Sequence, residues 1–339
     1  MDLSVIIPFV GEYPQVLFTI QSVAQNLINT NIDFEIIAVN NYCDYVKAQA
    51  ENIINIQQSK LIKKLNSENI KKAYKAIMPT FEDRSGEAIK ASAKINPWLK
   101  YFEYKDRLSH WQAKRHGVNN SSGDYILFVD AHTIPSHNAI PSMYEEFISG
   151  YDKSGTMHLP LTYKILESHR LIYKLKIENK YFYSYSFTPF RQANDPYEVP
   201  CMSTCGMIIS RKLYDSIGGW PTGLGIYGGG ENFLNYALAV TGYNKFIYPF
   251  GTLFHHGEKR DYHYIGDDFI RNRMIAHYLF GGIDLLRKFT SVCKGRETVL
   301  NVLRESVIKG HRKQRNLIKS QQVINIEDWA SNWVEIEKA

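Results

Sequence analysis

An aspartate and a histidine two residues apart, Asp130 and His132, directly follow the apolar run YILFV, and a histidine pair, His255-His256, follows the run FIYPFGTLF. A carboxylate oxygen and two imidazole nitrogens brought together form a mixed donor set for a divalent cation and leave room for phosphate oxygens. Such a set suits Mn²⁺ and suits Zn²⁺ less. A further polar group, Asn40 and Asn41 with Asp44, follows a third apolar run ending at Val39. The glycine-dense stretch GGWPTGLGIYGGGEN ends in Glu231-Asn232, so one carboxylate sits where glycines let backbone approach a ligand closely. Each feature also has a plain structural alternative: a capping Asp, a buried His at a strand end, turn glycines, and Glu231 as the cap of the helix FLNYALAV.

The elements that must position these residues follow from hydrophobic patterning. Leu3 to Phe9 is an apolar, β-branched run closed by Pro8 and Gly11, and Val16, Leu17, Ile20, Val23, Ala24 and Leu27 recur at helical spacing after it. Phe34 to Val39 is a second buried strand. Strand, helix and strand at this spacing require a right-handed crossover and a parallel sheet, whose ligands bind at the carboxyl ends of its strands. Asn40/Asn41, Asp130 and His255/His256 all fall at such ends. The expected fold is α/β, Rossmann-like, with a mostly parallel sheet flanked by helices. A Lys-, Asn- and Ile-rich helical insertion occupies about residues 45–97, and the chain reads as helical beyond Gly266. The expected units are therefore a catalytic domain over 1–265 and a helical extension over 266–339.

The chain has 339 residues and a net charge of +6, with 23 Tyr and 17 Phe. This excludes a disordered tail or a small stapled scaffold. Residues 45–97 carry ten Lys/Arg against five Asp/Glu, and residues 286–320 carry ten against two, so two basic segments flank a mildly acidic remainder. Solvated helical faces account for either segment alone; the two together point to a polyanionic partner. Four cysteines (43, 201, 205 and 293) form neither a secretory framework nor a CxxC spacing. With no basic leader in MDLSVIIPFVGEYP and no apolar run of membrane-span length, the expected location is cytoplasmic.

Four passages taken together, SVIIPF, AKRHGVNNSSGDYILFVDAH, CGMIISRKLYDSIGGW, and GGGENFLNYALAVTGY with the later LFHHG, resemble the GT-A-fold nucleotide-sugar glycosyltransferases. The likeness is to family 2 enzymes and, at the DxH and GGEN motifs, to the polypeptide N-acetylgalactosaminyltransferases. It covers about residues 3–44 and 99–260. The resemblance implies a metal site of Asp130, His132 and either His256 or His255, with His256 favoured. It implies Mn²⁺ or Mg²⁺ bridging the diphosphate of a UDP-sugar. It places Pro8, Phe9 and Glu12 along the nucleotide and Lys114 and Arg115 near the phosphates. Asn40, Asn41 and Asp44 would read the base or ribose, and Arg260, Tyr262 and His263 lie in a closing loop. Trp220, Tyr227, Gly229, Gly230 and Asn232 would frame the sugar or acceptor. Glu231 would act with Asp130 in catalysis. Family members often carry Asp where this chain has Asn40 and Asn41, and Gly-Glu-Asn lacks the second carboxylate of inverting enzymes, so retention of anomeric configuration is favoured.

The acceptor stays open. Hydroxymethylated pyrimidines in DNA fit the two basic segments and the lysine- and tyrosine-rich stretch from Tyr173 to Phe187, whose rings can stack on a base. The same stretch also fits an ordinary half-buried strand pair. A surface polysaccharide or a protein is an alternative acceptor, and a non-catalytic nucleic-acid-binding GT-A scaffold is a different class of function.

Overall fold

The computed structural model describes residues 1–44, 84–163, 169–226, 228–256, 266–293 and 297–336. The core is an eight-stranded mixed sheet ordered β10-β12-β6-β11-β4-β1-β2-β3. Its strands are β1 (Leu3–Phe9), β2 (Phe34–Asn40), β3 (Leu99–Glu103), β4 (Tyr125–Phe128), β6 (Gly155–His158), β10 (Tyr197–Glu198), β11 (Met207–Ser210) and β12 (Asn244–Ile247). β1 lies parallel to both β2 and β4, and β2 lies parallel to β3. β1 is buried along its whole length, as expected of a central parallel strand covered on both faces. Helix α1 (Gln15–Leu27) buries Val16, Ile20, Val23, Ala24 and Leu27.

The proposed insertion lies outside the described residues over 45–83. Its remainder contains helix α2 (Arg84–Ala93). Helix α3 (His110–Asn119) starts where the Ser109 hydroxyl accepts the Gln112 N–H, satisfying one of the donors left open at a helix start. A methyl group on Gly117 would come within 2.6 Å of Ile6 Cγ2, so glycine is what lets α3 lie close on β1.

A second, five-stranded sheet, β5-β13-β7-β8-β9, adds to the single sheet read from the sequence. It comprises β5 (Thr133–Pro135), β7 (Leu161–Thr162), β8 (Leu171–Glu178), β9 (Phe182–Pro189) and β13 (Leu253–His255). The stretch from Tyr173 to Phe187 is the β8–β9 hairpin. Tyr173, Leu175, Tyr185 and Phe187 are paired on one of its faces, and Lys174 and Lys176 lie on the other. Those four side chains and the two lysines therefore do not present one surface.

Among the strands of the two sheets the chain forms α4 (Ala139–Glu146), α5 (Arg211–Ser216) and α6 (Gly230–Val240). The helical C-terminus is α7 (Gly266–Ser291), α8 (Glu297–Ser320) and α9 (Ile326–Ile336). Ile275, Leu279, Val307, Ile318 and Ile326 join the same core as the sheet, so these helices are packed onto the α/β body. They also hold the glycine-rich segment. Gln314 Nε2 donates to the carbonyls of Ile217 and Gly219 at 2.9 and 2.8 Å, and Asn272 Oδ1 accepts the Gly225 N–H at 2.7 Å.

Glu35 on β2, 1% exposed, joins three elements. It accepts from the Ser4 hydroxyl of β1 at 2.7 Å, from Lys100 of β3, and from both the N–H and the hydroxyl of Ser122 before β4. Burial alone would raise its pKa, but Lys100 and these donors outweigh burial and hold it below the usual carboxylate value. Its stabilisation is therefore present above the ordinary carboxylate range and is lost as pH falls through the depressed value. Glu35→Gln is expected to lower unfolding stability in urea by about 2 kcal/mol at neutral pH. The gap should close below about pH 4; an unchanged gap there would contradict the assignment.

Candidate active site

A small open cavity lies at the carboxyl ends of β1, β2 and β4, lined in part by Phe9, Asn41, His110, Asp130, His132 and Ile226. Asp130 lies two residues past β4. Oδ1 is 3.2 Å from Lys114 Nζ and 3.5 Å from His110 Nε2, and Oδ2 is 3.5 Å from His255 Nε2. Burial would push this carboxyl up, but Lys114, His110 and His255 overcome it and hold it well below the usual carboxylate range. Asp130 is thus an anion held by the Lys114 ammonium with two histidine rings beside it.

The two sheets meet at this point. The chain runs from Asp130 directly into β5, and β5 pairs with β13 so that His255 lies opposite Thr133. His255 also stands edge-on to the His132 ring, with centroids 4.7 Å apart. The backbone N–H of His256 donates to the His132 carbonyl at 2.9 Å, and its ring lies 6.1 Å from that of Phe254, whereas His255 is the one at Asp130. Of the two histidines the sequence offers, His255 is the one with a ring nitrogen at Asp130, as the alternation of side chains along an extended segment allows. His132 Nδ1 is 2.7 Å from Glu12 Oε1, and Glu12 Oε2 accepts the Val10 N–H. Glu12 therefore orients His132, as carboxylates behind ligating histidines do. Asp130 and His132 line the cavity and His255 stands beside both, with its Nε2 at Asp130 Oδ2 and its Nδ1 buried without a hydrogen bond, so these oxygen and nitrogen donors fit a divalent cation.

Other expected residues take different places. Lys114 has no exposed surface; besides Asp130 it reaches the Thr204 carbonyl and hydroxyl, each at 3.4 Å. It braces Asp130 from behind. Arg115 donates to the Trp220 carbonyl at 2.6 Å, away from the cavity. Trp220, fully buried, packs on Trp111 and Phe128 with centroids 4.9 and 5.6 Å apart and is core, not a pocket wall. Asn40, 3% exposed, bonds Tyr101 and the Tyr42 N–H. Asn41 bonds the carbonyls of Tyr104 and Arg107 and the Ser109 N–H. Asn40 thus ties the end of β2 to β3, and Asn41, which also lines the cavity, organises the loop before α3. Asp44 is exposed at the edge of the described residues, whereas Tyr227, Arg260, Tyr262 and His263 lie outside them.

Glu231 opens helix α6. Gly229 before it has φ of 78°, and a methyl group on Gly230 would come within 2.3 Å of the Trp111 ring, so only glycines allow this turn to pack there. Oε1 accepts the Thr204 hydroxyl at 3.2 Å, which links Glu231 through Thr204 and Lys114 to Asp130. Asn232, 1% exposed, donates to the Tyr183 carbonyl at 2.7 Å and ties α6 to β9.

Sequence reasoning missed His110, Thr204 and Cys205. His110 had a signal, since it stands one helical turn before Lys114 on the same face of α3. Thr204 had none, and Cys205, though it opens the CGMIIS passage, comes to Asp130 only because β11 lies antiparallel beside β4.

Residues 80–218 match the family model described as Glycosyl transferase family 2. No curated protein matches the sequence. Among solved structures, GalNAc-T7 with UDP, GalNAc and Mn²⁺ is similar with a TM-score of 0.57 at 14% identity, over 91% of this chain and 54% of that one. The chain thus spans about half the length of that protein. TarS residues 1–349 from S. aureus, in complex with UDP-GlcNAc, is similar with a TM-score of 0.49 at 10% identity, over 92% and 73%. The first of these likenesses is one of fold.

Burial raises the Glu231 pKa and the nearby Asp130 charge adds to this, against the Lys114 charge, its own N–H and Thr204. A carboxyl whose folded pKa is raised costs stability as pH rises through that value. Glu231→Gln removes the cost. The melting temperature of the variant relative to the unaltered protein should therefore climb as pH rises from below the ordinary carboxylate range, then level off. A relative fall over that interval would contradict the raised value.

Proposed function

We propose, from the family 2 match over residues 80–218 and the likeness of fold, that the chain transfers a sugar from a UDP-sugar to an acceptor hydroxyl with retention of configuration. The observation that carries the reading is the placement of Asp130, His132 and His255 together at the carboxyl ends of the strands. Asp130, His132 and His255 would hold a divalent cation, Mn²⁺ or Mg²⁺, which when bound neutralises charge on the diphosphate leaving group. UDP and Mn²⁺ accompany GalNAc-T7, and UDP-GlcNAc accompanies TarS.

The residues of the chain do the remaining work. Pro8 and Phe9 give the cavity a wall along the nucleotide. Lys114 keeps Asp130 ionised, and Glu12 keeps His132 in the tautomer whose Nε2 faces the site. Glu231, with its hydrogen bond from Thr204, orients the acceptor hydroxyl or the sugar. Asn232 is engaged with Tyr183, so the carboxylate at this turn is Glu231 alone, which supports retention. The catalytic unit we propose spans 1–265, with the C-terminal helices bracing its glycine-rich segment.

The acceptor we propose is a hydroxymethylated pyrimidine in DNA. Support comes from the two basic segments and from Lys309, Arg312, Lys313 and Lys319, all exposed on α8. No helix among the described residues is long and apolar enough to cross a membrane. Nucleoside-diphosphate release with Mn²⁺ is expected to rise on adding duplex DNA containing hydroxymethylpyrimidines, with a matching mass gain on the DNA. Asp130→Asn should reduce that release by about 100-fold or more. Release indifferent to DNA would shift the acceptor to a polysaccharide or protein, and no release with any common donor would favour a non-catalytic scaffold. Replacing Lys309, Arg312 and Lys313 by Ala should flatten the slope of log affinity for DNA against log salt by about 2 to 3. An unchanged slope would return α8 to a solvated face.

A further inference from the structure

Asp130 belongs to a second set of donors. Cys205, in the turn before β11 and 3% exposed, accepts the Asp130 N–H on Sγ at 3.4 Å. Its sulfur, an Asp130 carboxylate oxygen and a His255 ring nitrogen lie within 4.8 Å of one another. Lys114 and His110 sit against Oδ1, whereas Oδ2 is the oxygen turned to His255. The other ring nitrogen, His255 Nδ1, is buried without a hydrogen bond.

We propose that Asp130, Cys205 and His255 form a thiophilic metal site that takes Zn²⁺ in competition with the oxygen-preferring cation of the donor cavity. The inference rests on the proposed reading of Asp130 and His255 as cation ligands and adds sulfur to them. Donor atoms around a tetrahedral zinc lie about 3 to 4 Å apart. The 3.5 Å between Asp130 Oδ2 and His255 Nε2 already meets this, and the sulfur needs only a small side-chain movement. As the Zn–S bond forms, the Cys205 S–H bond breaks and its proton leaves to solvent; no electrons are transferred. Asp130 and His255 complete three protein donors, with the fourth position left to water or a phosphate oxygen.

Mn²⁺ and Mg²⁺ have little use for sulfur, whereas Zn²⁺ binds thiolate and imidazole strongly and stands above Mn²⁺ in general affinity. Zinc held by Cys205 would occupy the ligands that the sugar donor's cation needs, so zinc is expected to inhibit transfer. Cys43, Cys201 and Cys293 join no such cluster among the described residues.

Co²⁺ titration of the full chain tests this, followed by the thiolate-to-cobalt charge-transfer band in the near ultraviolet and then by displacement with Zn²⁺. The expected result is a band that saturates at one Co²⁺ per chain, is lost in Cys205→Ser and in His255→Ala, and persists in Cys201→Ser. Zn²⁺ affinity should drop by more than about tenfold in Cys205→Ser, with Mn²⁺ affinity changing by less than about threefold. No band in the unaltered protein, or an undiminished band in Cys205→Ser, overturns the site. Should Cys205→Ser fail to melt cooperatively, His255→Ala decides in the same way. Mn²⁺-dependent UDP binding measured in parallel separates the two readings. A cobalt band without UDP binding keeps this site and removes the glycosyl-transfer reading, and UDP binding without a band does the reverse.

Discussion

The ion pair between Lys114 and Asp130 is the interaction on which the site depends. Lys114 is fully buried, with its ammonium 5.4 and 5.7 Å from the centres of the Trp111 and Phe128 rings, and Asp130 is its charged partner. Removing either member would leave a buried charge uncompensated, at a cost of about 3 to 5 kcal/mol. The pair also carries information across the site. Through Thr204, Lys114 reaches Glu231, so the carboxylate at the cavity and the carboxylate at the start of α6 share one cationic neighbour. One keeps a depressed pKa and the other a raised one, a division of roles that a transfer site can use.

Three parts of the molecule converge on that pair. The main sheet supplies Asp130 at the end of β4, and the second sheet supplies His255 through the β5–β13 pairing. The C-terminal helices act through the glycine-rich segment. Asn272 holds Gly225, and Arg271 donates to the Gly223 carbonyl at 2.6 Å. His311 packs where a Gly223 side chain would otherwise stand. Glu231 therefore keeps its position because helices from the far end of the sequence fix the turn in front of it.

Much of this was legible in the sequence. β1, β2 and β4 are continuous apolar runs because both faces of a central parallel strand are covered, and the family 2 match and the GT-A neighbour agree with the fold read from them. The second sheet was not legible. β5, β7 and β13 are two or three residues long and pair with segments more than a hundred residues away or across connecting loops, so no local pattern marks them. The same pairing selects His255 over His256, a choice the adjacent letters do not contain. Lys114 and Arg115 show the limit of motif transfer. Neighbours on a helix point about 100° apart, so one reaches Asp130 and the other caps the Trp220 carbonyl. Asn40 and Asn41 were placed correctly at a strand end, but their amides are engaged by backbone and tyrosine partners that only the tertiary fold supplies.

The most direct test is calorimetric UDP binding with and without Mn²⁺, compared among the unaltered chain, His255→Ala and His256→Ala. UDP binding that requires Mn²⁺, is lost in His255→Ala and survives in His256→Ala is the predicted result. UDP binding that ignores Mn²⁺, or that survives in His255→Ala and fails in His256→Ala, would contradict the site built around Asp130.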